Sequence, residues 1–461
     1  MKKSLLLLML TLAATMASGQ KYSITFKIAE AKDSVAYIGQ HFRDQYIIRD
    51  TARLANGCYT FEGKRNWPRG IYALVDASRK KGIADFVIDG SQQFTVALDA
   101  AHRATSVKGS DANKSMFAYI NTINDAKAEQ KKLNQQLSTA DSLKARKGLQ
   151  ALNKKMDQYE SNSFAKHKGE LFFDLVRMFN GPEVPDTAAN KRHYYLQHYW
   201  DGVDMADHSL IFTPNLFNKM NDYFFGLLYN SDTDTICHYA DRLLHTIEAD
   251  SAMMHYVMEY IMPKYYRSTK NIGWDAAWCY LVRKYYLTGK CPWATAGDLY
   301  NKQKTCEFLE KSLIGAHGAE LWMADTNQSP NPRDWKSSHR QPYPYVILWF
   351  WDPDCNHCQE QTDELIELYN SLTAAGTRNF EVYAVGYESD VEKWKRYVRE
   401  HHLPFVNVGG LNVNVDYQEA YNVHGAPTMI ILNKKRDIIM NKTLPTESII
   451  PFLEDYEKKH K

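Results

Sequence analysis

The sequence lacks any excess of charge. Its 56 lysines and arginines face 54 acids, and the two surplus cations, Lys2 and Lys3, fall within the first 19 of 461 residues. A nucleic-acid binder needs surplus cations to displace counterions, so that class of function is excluded. Cysteine is scarce as well: seven in the chain, with only Cys355 and Cys358 at Cys-x-x-Cys spacing. No apolar run reaches the ~20 residues that span a bilayer. The strongest in the body of the chain, Tyr345–Trp351, has the length of a strand. What is present is a 44% hydrophobic, 13% aromatic composition. That builds cores and rules out disorder as the main character. At ~150 residues per domain, the length suggests about three domains.

Met1-Lys2-Lys3 is basic, and residues 5–14 are apolar except for Thr11. Ala17-Ser18-Gly19 then offers small residues at the −3 and −1 positions of a cut before Gln20. This is the layout of a secretory signal peptide over residues 1–19. No cysteine stands at the cut to accept a lipid. The expectation is a soluble, exported, periplasmic protein with no membrane span in the mature chain.

Three regions follow, each with its own period. Over residues 20–108 the period is two: Tyr22, Ile24, Phe26 and Ile28 alternate with Ser23, Thr25 and Lys27. Asn56-Gly57, Pro68-Arg69-Gly70 and Asp89-Gly90 punctuate the runs. Short strands at this spacing predict a small all-β domain, a sandwich or barrel. Residues 109–313 turn to helical spacing and predict an all-α domain that opens with a charged helical hairpin. Its aromatic groups, Tyr194, Tyr195, Tyr199 and Trp200, then Tyr256, Tyr260, Tyr265 and Tyr266, read as core. In residues 314–461 a proline-rich linker (Pro330, Pro332, Pro342, Pro344) leads into a β-α-β-α-β-β-α alternation, an α/β domain. Tyr345–Trp351 is continuously apolar, as a strand buried on both faces must be.

Cys355-Asn356-His357-Cys358 stands between that strand and a helix start. There Cys355 meets unpaired amides and the positive end of the helix dipole, which stabilise a thiolate. Cys358, one turn inside, can close a disulfide with it. His357 adds a side chain able to carry positive charge beside the sulfur, and favouring the reduced form makes such a pair more oxidising. Zinc would want a second ligand pair, and so short a loop is a poor structural staple. Redox chemistry is the favoured reading, and it requires no cofactor and no metal. The other five cysteines show no spacing that selects partners.

With Gly425-Ala426-Pro427-Thr428 about 70 residues on, the sequence resembles the thioredoxin superfamily, and more closely its TlpA/ResA-like periplasmic branch. Phe350-Trp351-Asp352-Pro353-Asp354-Cys355 is similar to that branch's strand-end motif, and residues 421–428 to its proline segment. The resemblance covers residues 314–461 and implies a thioredoxin-like fold with a cis Ala426–Pro427 bond facing the cysteines. It implies thiol–disulfide oxidoreductase activity, with Cys355 attacking, Cys358 resolving and Pro427 shaping a docking groove. The preceding domains resemble uncharacterised companions of such modules. Three positions depart from the pattern: Trp349 replaces a buried acid, Asp354 a tryptophan, and Gln361 a glutamate. The expected partners are exported protein thiols or disulfides and an unidentified redox partner, with no nucleic acid. The alternative is a binding or scaffold protein whose first two domains hold a partner, with an accessory redox module.

Overall fold

The computed structural model describes residues 21–138, 142–266, 273–387 and 390–460. The expected signal peptide, residues 1–19, lies outside them. No described helix is long and apolar enough to cross a membrane. The chain forms two compact units, one ending at Leu227 and one beginning at Leu228.

The first unit opens with eight strands: β1 (Tyr22–Ile28), β2 (Val35–Phe42), β3 (Gln45–Ala55), β4 (Cys58–Gly63), β5 (Gly70–Val75), β6 (Gly82–Ile88), β7 (Gln93–Leu98) and β8 (Ala104–Lys108). They make one sheet in the order β6-β5-β2-β3-β4-β1-β7-β8. Only β1 and β7 pair in parallel. The period-two pattern is realised in β1, where Tyr22, Ile24, Phe26 and Ile28 are buried and the residues between them face outward. Asn56 and Gly57 both take positive φ, 52° and 71°, as the tight turn from β3 to β4 requires. The rings of Phe26 and Phe86 lie 5.3 Å apart, although β1 and β6 are five places apart in the sheet. The sheet therefore curls over a single core.

Edge strand β6 is not left bare. The buried Asn113 side chain accepts from the Val87 amide and donates to the Val87 carbonyl, both at 2.8 Å, standing in for a neighbouring strand. Asn113 belongs to α1 (Asp111–Gln136), capped by Ser110, which packs against α2 (Ser142–Lys166). Shorter helices α3 (Leu171–Phe179), α4 (Lys191–His198) and α5 (Pro214–Asp222) follow. Of the aromatic cluster expected as core, Tyr199 is buried and stacks on Tyr223 at 5.1 Å, while Tyr194, Tyr195 and Trp200 are half-buried.

The second unit begins with α6 (Thr233–Thr246), α7 (Ser251–Tyr265), α8 (Trp274–Leu281) and α9 (Ala296–Leu309). The predicted tyrosine cluster on α7 is core, with Tyr256, Tyr260 and Tyr265 buried. The α/β part runs β9 (Trp322–Asp325), β10 (Lys336–Ser337), β11 (Tyr345–Trp351), α10 (Asn356–Ala374), β12 (Phe380–Gly386), α11 (Val391–Glu400), β13 (Val406–Val413), α12 (Tyr417–Tyr421), β14 (Thr428–Leu432), β15 (Ile438–Met440) and α13 (Ile449–Lys459). Its sheet has the order β10-β9-β13-β12-β11-β14-β15.

Every residue of β11 and β12 is buried. Tyr345, Ile347, Trp349 and Trp351 point into one core, and Val346, Leu348 and Phe350 into another on the opposite face. The stretch expected as a proline-rich linker does more than connect. It is flanked by β9 and contains β10, which pair with each other, and β9 also pairs with β13. Strands of four and two residues are too short to show a period, and the Gly409-Gly410 step inside β13 reads as a break. The helices are fastened to this sheet by a part-buried Lys442–Asp275 ion pair at 2.7 Å and by Asn441 Nδ2 donating to the Ser312 carbonyl at 3.0 Å.

Candidate active site

β11 ends at Trp351, and the chain must turn into α10 within four residues. Asp352 organises the turn: its carboxylate accepts from the Asp354 amide at 2.8 Å and its carbonyl from the Cys355 amide at 3.1 Å. Gln359 Nε2 donates to the Pro353 carbonyl at 2.6 Å and holds the other side. Cys355 thereby becomes the N-cap of α10, with extended backbone (φ −97°, ψ 111°). Its Sγ accepts from the Cys358 amide at 3.3 Å. One of the helix's otherwise unpaired donors is thus spent on sulfur, an arrangement that stabilises a sulfur anion.

Cys358 is the opposite case. It is fully buried, and burial first, then the adjoining Cys355 thiol, push its own thiol up to about 12. A backbone hydrogen bond from Asp352 opposes the rise, and the Asp352 carboxylate adds only a smaller push upward. Two sulfurs three residues apart therefore sit in unlike surroundings, one part-exposed beside a donor and one buried and held protonated.

Pro427 reaches the site through strand pairing. β14 runs antiparallel to β11 with Thr428 opposite Phe350, which brings the residues before β14 level with the turn after β11. The Ala426–Pro427 bond is cis, and the Cys355 thiol donates to the Ala426 carbonyl at 3.9 Å. Thr428 Oγ1 bonds to the Gly425 carbonyl at 2.7 Å, and Thr443 Oγ1 to that of Pro427 at 3.3 Å. The structure thus brings Cys355, Cys358 and the segment of Pro427 together.

It does not bring His357 to the sulfurs. That side chain is 87% exposed, and its Nδ1 lies 3.5 Å from the Glu360 carboxylate. No contact of His357 with either sulfur is present among the described residues. Successive helix positions are rotated by about 100°, so the neighbour of an inward Cys358 faces solvent.

Several site features were invisible in the sequence. Lys393 of α11 forms an ion pair with Asp354, offsetting the negative charge that precedes Cys355. Trp349, at the position of the missing acid, donates from Nε1 to the buried Thr362 hydroxyl at 3.0 Å. Gln361 Oε1 is buried with no hydrogen-bond partner among the described residues. Contacts between separate elements leave no signature in spacing.

With this geometry in place, the matches to known families can be weighed. Residues 343–438 match a family described as thioredoxin-like. The C-terminal module is thioredoxin-like. Residues 124–311 match a domain of unknown function (DUF5106) and residues 22–116 another (DUF4369). No curated protein matches the chain. Among solved structures, a thioredoxin-like protein from Bacteroides caccae is similar over 61% of this chain and 99% of its own, at 17% identity and a TM-score of 0.47. A domain of a possible thiol-disulfide isomerase from Cytophaga hutchinsonii is 28% identical over 32% of this chain and 95% of its own, with a TM-score of 0.28. The thioredoxin domain of a thiol-disulfide oxidoreductase from Bacteroides vulgatus is 20% identical over 31% and 96%, with a TM-score of 0.26. In the thioredoxin-like module of the present chain, the cysteine pair lies at the end of the strand buried on both faces.

Proposed function

We propose that the protein is a periplasmic thiol–disulfide oxidoreductase that exchanges disulfides with exported proteins. The Cys355 thiolate attacks one sulfur of a substrate disulfide; a new S–S bond forms, and the other substrate sulfur leaves as a thiolate. Cys358 then loses its proton and attacks Cys355. This releases the second substrate thiol and leaves a Cys355–Cys358 disulfide, which an external thiol partner must reduce. Run in reverse, the oxidised pair passes its disulfide to a substrate dithiol. In this reading Pro427 shapes the groove where an extended substrate segment lies, and His357 acts only through its charge.

The observation that supports this reading is the inequality of the two sulfurs. Cys355 accepts the Cys358 amide at the helix start, while Cys358 is buried with its thiol raised to about 12. An attacking and a resolving cysteine need that asymmetry. The test is trapping. Cys358→Ala should accumulate mixed disulfides through Cys355, detected by mass spectrometry, and Cys355→Ala should accumulate few or none. Equal trapping by the two variants would refute the assignment.

A further inference from the structure

Outside the redox pair the cysteines are Cys58, Cys237, Cys279, Cys291 and Cys306. Spacing selects no partners among them, but the fold does. Cys279 lies on α8 and Cys306 on α9, and these helices pack together. Both side chains are buried, at 3% and 0% exposure. The Cys306 Sγ lies 3.9 Å from the Cys279 carbonyl oxygen, against the turn of α8 that carries Cys279.

The Cys306 thiol is also the neighbour that acts most strongly on the Cys279 thiol. Its effect first, and burial second, drive the Cys279 thiol far above its ordinary range. Four residues on from each cysteine, Arg283 and Glu310 form a two-point ion pair. It ties together the segments that directly continue the two helices. The remaining thiols are placed differently. Cys58 is half-exposed, with its Sγ directed to the Asn56 carbonyl at 3.5 Å. Cys237 is buried on α6, and Cys291 is buried in the segment between α8 and α9.

We propose that Cys279 and Cys306 form a disulfide when the chain folds in the presence of an external disulfide. Each thiol gives up its proton and one S–S bond joins the two sulfurs. The two electrons released reduce an external disulfide of the glutathione class to two thiols. The bond closes the loop of residues 280–305 and so limits the unfolded chain. Such a bond needs the two Cα atoms within about 7 Å of each other, and the Cys306 Sγ already reaches the backbone of Cys279. It also bears on the redox module: Phe308, two residues past Cys306, places its ring 5.9 Å from that of His424, three residues before Pro427. The staple fixes the helix against which the proline segment rests.

The test maps thiols in the full-length chain. The protein is reduced and unfolded, refolded in mixed reduced and oxidised glutathione, alkylated in denaturant without reductant, digested and analysed by mass spectrometry. A linked Cys279–Cys306 peptide pair is expected. The double variant Cys355→Ser, Cys358→Ser should show the same linkage, with only Cys58, Cys237 and Cys291 open to alkylation. Its result is independent of the redox pair, so failure here and failure of the oxidoreductase reading are separable. Alkylation of both Cys279 and Cys306 would overturn the proposal, as would linkage of either to Cys237 or Cys291.

Discussion

The two sheets of this protein are built from similar residues and reach different ends. In the first, strands joined mostly by hairpins alternate buried and outward residues in β1, β4 and β7, where one face meets the core and the other does not, while β5 is buried throughout. Successive strands reverse direction, so the turns are shared between both ends of the sheet. In the second, β11 and β12 are buried throughout and run in parallel with β13. Parallel strands all finish at one end, and the loops and helix starts that follow them collect there. Cys355 stands at that end, and the antiparallel β14 enters from it with Pro427 at its head. Direction of pairing, more than composition, explains why the candidate chemistry lies in one sheet and not the other.

The strongest way to break this comparison is to damage each sheet in turn. Cys355→Ala should reduce catalysed exchange to the uncatalysed background in an insulin-reduction assay. Phe26→Ala, in the core of the curled sheet, should cost ~3–5 kcal/mol of stability yet leave exchange per folded molecule at the wild-type rate. Loss of exchange in Phe26→Ala would contradict the division of labour.

A smaller effect is expected where a buried polar partner is removed from each sheet. Asn113→Ala strips the Val87 amide and carbonyl of their partner, and Trp349→Phe does the same to the Thr362 hydroxyl. Each should lower stability by about 1–3 kcal/mol, read from urea midpoints. An unchanged midpoint in either variant would mean that water or a rearranged neighbour supplies the missing bond.

The raised Cys358 thiol sharpens the contrast through pH. The folded state holds this proton up to about 12, whereas an unfolded cysteine loses it near ~8.5. Between those values the folded protein binds more protons, so its stability, complete below the lower value, declines as pH rises. Cys358→Ala should make that decline shallower in the reduced protein. For the same reason, resolution of a mixed disulfide should accelerate about tenfold per pH unit between roughly 7 and 9. A rate independent of pH there would assign the resolving step to another group.

The smallest effects belong to the exposed charges around the site. His357→Pro should move the reduction potential toward thioredoxin's value of about −270 mV, by only roughly 5–20 mV, since exposed pairs are weak. Lys393→Ala, which leaves Asp354 uncompensated, should slow exchange by less than about fivefold. Larger changes in either would show that these charges act at close range on Cys355.

Legibility followed distance along the chain. The alternation of β1 and the apolar run of β11 are local patterns, and both appear in the structure as they read. β9, β10 and β13 escaped because two are too short to repeat and the third is interrupted by two glycines. Adjacency misled in one place: His357 is next to Cys358 in sequence, yet helical rotation turns it toward Glu360. The Asp354–Lys393 pair joins α11 to the turn before α10, and nothing in the spacing announced it.

The sequence by itself determined the local chemistry: a Cys-x-x-Cys pair after a buried strand, and a proline at the entrance to a later one. Those features need only neighbouring residues, because three positions along a helix set two sulfurs close together whatever else the chain does. Tertiary structure alone decided which groups converge from afar. Strand register set Ala426 beside Cys355, and helix packing set Cys306 against Cys279 from 27 residues away. Packing follows from summed burial over whole faces, so no short stretch of sequence records its outcome.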